Sequence, residues 1–202
     1  MRILLADKLA SFVPEALEAS GCAVTAMPSL KGEALEAALR DVDPEVLVVR
    51  STKVTAAHLA AASSLSLIIR AGAGVNTIDV ATASSRGVYV SNCPGRNAIA
   101  VAELTFGHLI NLDRRIVDNA IALRAGRWEK KSLGKARGLH GRTLALLGIG
   151  QIGREVIRRA HAFGIQVRAW SRSLTPELAA ELGVEQASSP LDACRGAHML
   201  SV

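Results

Sequence analysis

The run Leu144-Ala145-Leu146-Leu147-Gly148-Ile149-Gly150-Gln151-Ile152-Gly153, continued by Arg154 to Ala160, constrains this chain more than any other stretch. A short apolar segment enters a glycine-rich turn and leaves it directly as a helix former. That strand–turn–helix context gives G-x-G-x-x-G its meaning as a dinucleotide-binding signature. Gly148 permits the tight turn, Gly150 lets backbone amides approach a pyrophosphate, and Gly153 lets the helix pack closely on the strand. Gln151, Ile152 and Gly153 then open a helix whose N–H groups and positive dipole end face the phosphates. A purely structural turn is the competing reading, and the flanking pattern argues against it.

The 202 residues are half hydrophobic and one-fifth charged, which suits one large or two small globular domains with a substantial core. No apolar run approaches the length of a membrane span, and Met1-Arg2-Ile3-Leu4-Leu5-Ala6-Asp7 lacks the core and cleavage site of a signal peptide. A cytoplasmic protein without a membrane partner is expected. Cys22, Cys93 and Cys194 are widely spaced, and no H-x-x-x-H pair occurs, so no metal site is expected. Much of the net charge of +6 lies between Arg114 and Arg142, in Arg114, Arg115, Arg124, Arg127, Lys130, Lys131, Lys135, Arg137 and Arg142. Nucleic-acid binding is disfavoured, because only Trp128 is interleaved with these cations as a stacking platform. They read as a solvated basic face that also favours anionic ligands.

In chain order, apolar runs alternate with helical patterns. Strands are expected at Arg2 to Ala6, Ala23 to Ala26, Val46 to Val49, Leu67 to Ile69 and Val88 to Val90. Helices are expected at Pro14 to Ser20, Gly32 to Arg40, Thr55 to Ala62 and through Ile78, Val80 and Ala83. The strand–helix alternation predicts an open α/β unit on a parallel sheet. From Asn97 a single long helix is expected to about Ala125, with Val101, Leu104, Leu109 and Leu112 on its apolar face. A polar, basic connection from Glu129 to His140 follows. A second module then runs from Arg142, with a helix from Gln151 to Ala162 and a strand from Ile165 to Trp170. Thr175-Pro176 and Ser189-Pro190 read as two helix starts, and His198 to Val202 as a third strand. A complete dinucleotide fold has two such halves, so the chain reads as the front part of a longer protein. The expected domains are 1–96 and 97–202.

Several stretches together resemble the D-isomer-specific 2-hydroxyacid dehydrogenases. They are Val49-Arg50-Ser51-Thr52-Lys53-Val54-Thr55, Arg70-Ala71-Gly72-Ala73-Gly74-Val75-Asn76-Thr77-Ile78-Asp79 and Asn92-Cys93-Pro94-Gly95-Arg96-Asn97. Val101-Ala102-Glu103-Leu104, Gly126-Arg127-Trp128 and the block from Gly141 to Gly153 complete the set, in family order. The resemblance implies a flavodoxin-like substrate lobe followed by the first half of a Rossmann cofactor lobe, with the active cleft between them. It also implies reversible hydride transfer between C2 of a 2-hydroxy acid and a nicotinamide ring, and a homodimer or larger assembly.

By the same resemblance, the turn Ala73-Gly74-Val75 offers backbone amides to the substrate carboxylate, which suits small residues around an anion. Arg50, Ser51 and Lys53, at the end of a buried strand, meet substrate carboxylate or phosphate. Arg50-Ser51-Thr52-Lys53 and Arg70 to Gly74 are most similar to the branch that oxidises a phosphorylated hydroxy acid. Asn97 is expected to cap its helix and to line the cleft. The family's arginine, glutamate and acid–base histidine follow the next strand of the cofactor lobe and find no match up to Val202, so no catalytic residue is assigned and the chain alone is expected to be inactive. For the cofactor, an acidic residue is due about 20 positions past the glycine loop. Ser171, Arg172 and Ser173 stand there instead, which favours NADP over NAD and would suit the NADPH-using, oxo-acid-reducing branch. An inactive, truncated nucleotide-binding protein is the non-enzymatic alternative.

Overall fold

The computed structural model describes residues 1–202 as two compact units, Met1–Arg96 and Asn97–Val202. The first unit runs β1 (Arg2–Leu5), α1 (Phe12–Ala19), β2 (Ala23–Ala26), α2 (Glu33–Val42), β3 (Val46–Val49), α3 (Ala56–Ala61), β4 (Leu67–Arg70), α4 (Val80–Ser85) and β5 (Tyr89–Asn92). All its strand pairings are parallel, in the order β2-β1-β3-β4-β5. This is the flavodoxin-like order, whose switch point lies between β1 and β3.

The unbroken apolar strands follow from burial on both faces. Leu4, Leu47, Val49 and Ile68 pack with Leu35, Leu39 and Leu59 on one side of the sheet. Ile3, Leu5, Val46 and Val48 pack with Leu17 and Val24 on the other. Alternate residues of one strand thus serve two cores.

Polar side chains fix the ends of these elements. Thr55 precedes α3, and its N–H donates to Nδ1 of the buried His58 at 3.0 Å. That bond leaves the proton on Nε2, which faces the Gly32 carbonyl at 3.0 Å. Asp43, left-handed at φ 41°, ends α2 and accepts from the Ser63 and Ser64 N–H groups at 2.8 and 2.9 Å. Bonds from Ser64, then Ser63, hold its carboxyl at a pKa of about 2. Ile78, expected inside a helix, lies ahead of α4 in an isolated bridge to Val54. Asp79 is the cap, accepting from the Thr82 N–H at 3.0 Å.

The second unit runs α5 (Ala98–Arg114), α6 (Ile116–Arg124), α7 (Lys130–Leu133), β6 (Thr143–Leu147), α8 (Gln151–Ala162), β7 (Gln166–Trp170), α9 (Pro176–Leu182), β8 (Glu185–Gln186), α10 (Pro190–Cys194) and β9 (Met199–Ser201). Its parallel sheet has the order β8-β7-β6-β9. The terminal segment therefore does not continue the first half as its third strand. The two-residue β8 takes that place, and β9 lies on the other flank of β6, so the sheet crosses its switch point at β6. A strand as short as β8 leaves no readable alternation in the sequence.

The expected long helix is two helices. Arg115 is left-handed (φ 52°, ψ 44°), and the Asn111 side chain accepts from the Val117 N–H at 2.9 Å, capping the new start. The buried face of α5 also differs from the expected one. It carries Ala98, Ala102, Phe106 and Leu109, while Leu104 and Leu112 are 61% and 76% exposed. Small residues face inward because α5 packs closely on α8, where Phe106 stacks on Phe163 at 5.2 Å between ring centroids. Arg142, read from sequence with the basic face, is instead drawn in. Its Nη1 lies 3.2 Å from Asp113, whose side chain is 7% exposed.

Candidate functional site

In the second unit β6 ends at Leu147 and the chain turns on Gly148, whose φ of 108° is closed to ordinary side chains. The Gly148 N–H donates to the Trp170 carbonyl at 2.8 Å, which ties the turn to the end of β7. Gly150 caps α8, and a Cβ placed on it would meet nothing within 4 Å. The first bond of the helix runs from the Arg154 N–H to the Gly150 carbonyl at 3.0 Å. The N–H groups of Gln151, Ile152 and Gly153 precede that bond and have no partner four residues back. Gly153 is the tight position. A Cβ there would stand 2.3 Å from the Gly148 carbonyl oxygen, so the helix rests on the turn itself. An open face, three leading N–H groups and a helix dipole fit a pyrophosphate.

Ser171, Arg172 and Ser173 follow β7 directly, beside the glycine turn because Leu147 and Trp170 are partners in register. Ser171 Oγ lies 3.2 Å from Ser173 Oγ, and Leu174 N–H closes the turn on the Ser171 carbonyl at 3.2 Å. Arg172 is exposed and makes no ion pair.

In the first unit the corresponding strand ends carry Asp7 after β1, Arg50 to Lys53 after β3, Ala71 to Asn76 after β4 and Cys93 after β5. Arg50, Ser51 and Lys53 are exposed, and Thr52 between them is buried, its Oγ1 donating to the Leu30 carbonyl at 3.1 Å. The Asp7 carboxylate accepts the N–H groups of Arg50, Ser51 and Thr52 at 2.7, 3.0 and 3.0 Å. In the next loop the carbonyls are held. Cys93 N–H donates to Gly72, Asn92 Nδ2 to Ala73 and Arg70 Nη1 to Gly74, at 2.9, 2.7 and 2.5 Å. The N–H groups of Ala73, Gly74 and Val75 make no hydrogen bond within the protein. A turn with its carbonyls engaged and its amides free can receive an anion.

Asn97 heads α5 without the expected side-chain cap, and only its carbonyl enters the helix, accepting from the Val101 N–H at 2.9 Å. His108 and His161 are exposed on helices. His198 precedes β9, and its Nδ1 accepts from the Thr143 N–H at 3.1 Å, at the end of the sheet opposite the glycine turn. Asp7, Arg70 and Asn92, which hold the first unit's loops, are not among the expected site residues, although Arg70 and Asn92 open two of the stretches that carry the family resemblance. A further sequence signal is position, each a polar residue at or just past the end of a strand.

Two parallel α/β sheets, one in the flavodoxin-like order and one Rossmann-like with an open glycine turn, define the fold class. The model of the D-isomer specific 2-hydroxyacid dehydrogenase catalytic domain matches residues 3–202, and the chain belongs to that family. It is similar to D-3-phosphoglycerate dehydrogenase from Rattus norvegicus, 40% identical over 92% of this chain and 34% of the relative. A hydroxypyruvate reductase from Thermotoga maritima is 47% identical over 62% of this chain and 41% of its own. Among solved structures, the TT0316 protein of Thermus thermophilus superposes with a TM-score of 0.86 at 28% identity, over 99% of this chain and 63% of that one. The chain thus spans about a third of the length of the phosphoglycerate dehydrogenases it matches. No helix is long and apolar enough to cross a membrane.

Proposed function

We propose that this chain supplies the substrate-binding and dinucleotide-binding loops of an NAD(P)-dependent oxidoreductase that moves a hydride between nicotinamide and C2 of a D-2-hydroxy acid. The proposed reaction is 3-phosphoglycerate to 3-phosphohydroxypyruvate, a step toward serine, in the cytoplasm. The observation that carries this reading is the free-amide turn at Ala73, Gly74 and Val75 beside the cationic Arg50 and Lys53. The turn receives the substrate carboxylate, and Arg50, Ser51 and Lys53 meet the phosphate at the far end of a three-carbon acid. Asn97 is the substrate-side residue proposed from the second unit. Gly148, Gly150, Gln151, Ile152 and Gly153 hold the pyrophosphate, and the bound nicotinamide supplies the redox chemistry. No histidine of the chain is assigned the acid–base role, and binding without turnover is expected of these residues alone.

A hydroxypyruvate or glyoxylate reductase using NADPH is the second reading, favoured by the absence of a carboxylate in Ser171-Arg172-Ser173. Arg172, exposed and unpaired, would meet a 2′-phosphate, whereas an acid would repel it. Arg172→Ala should weaken NADPH binding by about tenfold while moving NADH by less than about twofold, a charge-assisted pair being worth roughly 1.5–3 kcal/mol. Calorimetry with both cofactors decides it, and an unchanged NADPH affinity sinks the assignment.

We further propose that the chain self-associates through α6 and the start of the basic connection. Ile116, Val117, Ile121, Leu123 and Trp128 are 52–80% exposed there, around a cavity of about 270 Å³ lined by Leu123, Trp128 and Leu133. Sedimentation should report a dimer that Ile121→Asp converts to monomer. A wild-type monomer at tens of micromolar, roughly ten times a micromolar Kd, would rule the face out.

A further inference from the structure

We propose that Asp7 and Arg70 act as one positioning pair that sets the free-amide turn Ala73-Gly74-Val75 for its anion. This rests on the reading of that turn as the carboxylate site of a 2-hydroxy acid. Neither side chain needs to touch the ligand. Together they fix the backbone that does.

The pair is a continuous run of hydrogen bonds across three strand ends. Asp7 stands beside the switch point between β1 and β3. One of its oxygens, Oδ2, receives three consecutive N–H groups, and Ser51 Oγ donates to Oδ1 at 3.3 Å. Three donors from one loop leave that loop no freedom to rotate its peptides. The carbonyl of Arg50, in the same immobilised loop, accepts from Arg70 Nε at 3.2 Å. The same guanidinium donates from Nη1 to the Gly74 carbonyl at 2.5 Å. The carboxylate holds the first loop, that loop holds the guanidinium, and the guanidinium holds the turn.

The geometry of the turn explains why this matters. A peptide whose carbonyl is pulled to one side presents its N–H to the other. With Gly72, Ala73 and Gly74 held by their carbonyls, the amides at 73, 74 and 75 point away from the bonded side. The glycines are part of the same fit. A Cβ on Gly74 would lie 3.1 Å from Arg70 Nη1, and one on Gly72 would lie 3.3 Å from Arg70 Cζ. The guanidinium fills the space that side chains would otherwise take.

A carboxylate close to an anion site is unfavourable unless its charge is engaged. Burial works against the ionised form of Asp7 and is the largest single influence. The N–H donors of Arg50, Thr52 and Ser51 together outweigh it and hold the carboxyl below its ordinary value. Asp7 therefore stays charged at neutral pH, its lone pairs spent on backbone donors and not on a proton. Arg70 adds a positive charge behind the turn, which favours an anion in front of it.

The test uses the 202-residue chain, with 3-phosphoglycerate and NADH as separate probes in calorimetry. Asp7→Asn keeps the shape and removes the charge. Arg70→Lys keeps the charge and loses the two-armed reach. Each should weaken 3-phosphoglycerate by about tenfold or more, because small displacements of binding groups are costly, while NADH binding changes by less than about twofold. The double variant should bind no worse than the weaker single variant, since members of one relay are not additive. A merely structural role for either residue would give independent, additive losses, and that result overturns the pair. So do single variants that bind 3-phosphoglycerate as the wild type does. If Asp7→Asn does not fold, as read by circular dichroism, Arg70→Lys decides alone. A wild-type chain that binds NADH but neither 3-phosphoglycerate nor glycerate instead overturns the carboxylate reading of the turn, and the pair with it.

Discussion

Gly153→Ala should abolish measurable dinucleotide binding, a loss of at least about a hundredfold in NADH affinity. Two effects oppose one another at this position. Alanine is the better helix former by roughly 1 kcal/mol, which by itself would stabilise α8. The new Cβ, however, would stand 2.3 Å from the Gly148 carbonyl oxygen and 3.1 Å from its carbon. Backbone atoms cannot swing aside as a side-chain tip can, so either the turn or the first turn of the helix must move. Both carry the amides proposed to face the phosphates. Calorimetry with NADH measures the loss, and the folded state is checked by circular dichroism. NADH affinity within about threefold of wild type would mean that the turn tolerates displacement and that its geometry is not what binds.

Asp113→Ala should destabilise the second unit by about 2–4 kcal/mol, among the larger costs for a single substitution. Asp113 accepts from Arg142 Nη1 at 3.2 Å and from the Gly138 N–H at 3.0 Å, and its side chain is almost fully buried. Without it, the Arg142 guanidinium stays 19% exposed with no carboxylate beside it, and its buried Nε already lacks a partner. Removing both charges should cost less than removing one, because no uncompensated ion remains. Asp113→Ala with Arg142→Met should therefore recover part of the loss in urea unfolding. A double variant as unstable as the sum of the singles would show that the two groups act independently.

The sequence made the frame legible wherever physics gives a periodic or positional signal. Continuous apolar runs marked Val46–Val49 and Thr143–Leu147, because strands buried on both faces need no polar alternation. Thr175-Pro176 and Ser189-Pro190 marked helix starts, and both caps form, with Leu178 N–H 3.3 Å from Thr175 Oγ1 and Asp192 N–H 3.1 Å from Ser189 Oγ. The break at Arg115 was not legible. It depends on the Asn111 side chain competing for a backbone N–H, and the apolar pattern runs across it undisturbed. The buried face of α5 misled for a related reason. Close packing selected Ala98 and Ala102, so Leu104 and Leu112 lie on the exposed side, while Leu109 is buried as expected. In the candidate site, the glycines could be read as motifs because each has a steric reason to be glycine. The roles of Asp7 and Arg70 could not, since both hold mainly backbone atoms, which carry no residue identity, 43 to 45 residues away for Asp7 and 20 and 4 residues away for Arg70.

All seven strand pairings are parallel, and this bears on how the chain reaches its structure. No pair can form as a hairpin, so every ladder waits for a helix-bearing crossover to close. Loop-closure entropy is spent before any sheet hydrogen bond forms, which places both units among slow folders. During that interval Val46–Val49 and Thr143–Leu147 are unpaired apolar edges in search of any strand. The apolar continuity that suits these segments to the interior of a finished sheet makes them the points at which folding competes with aggregation.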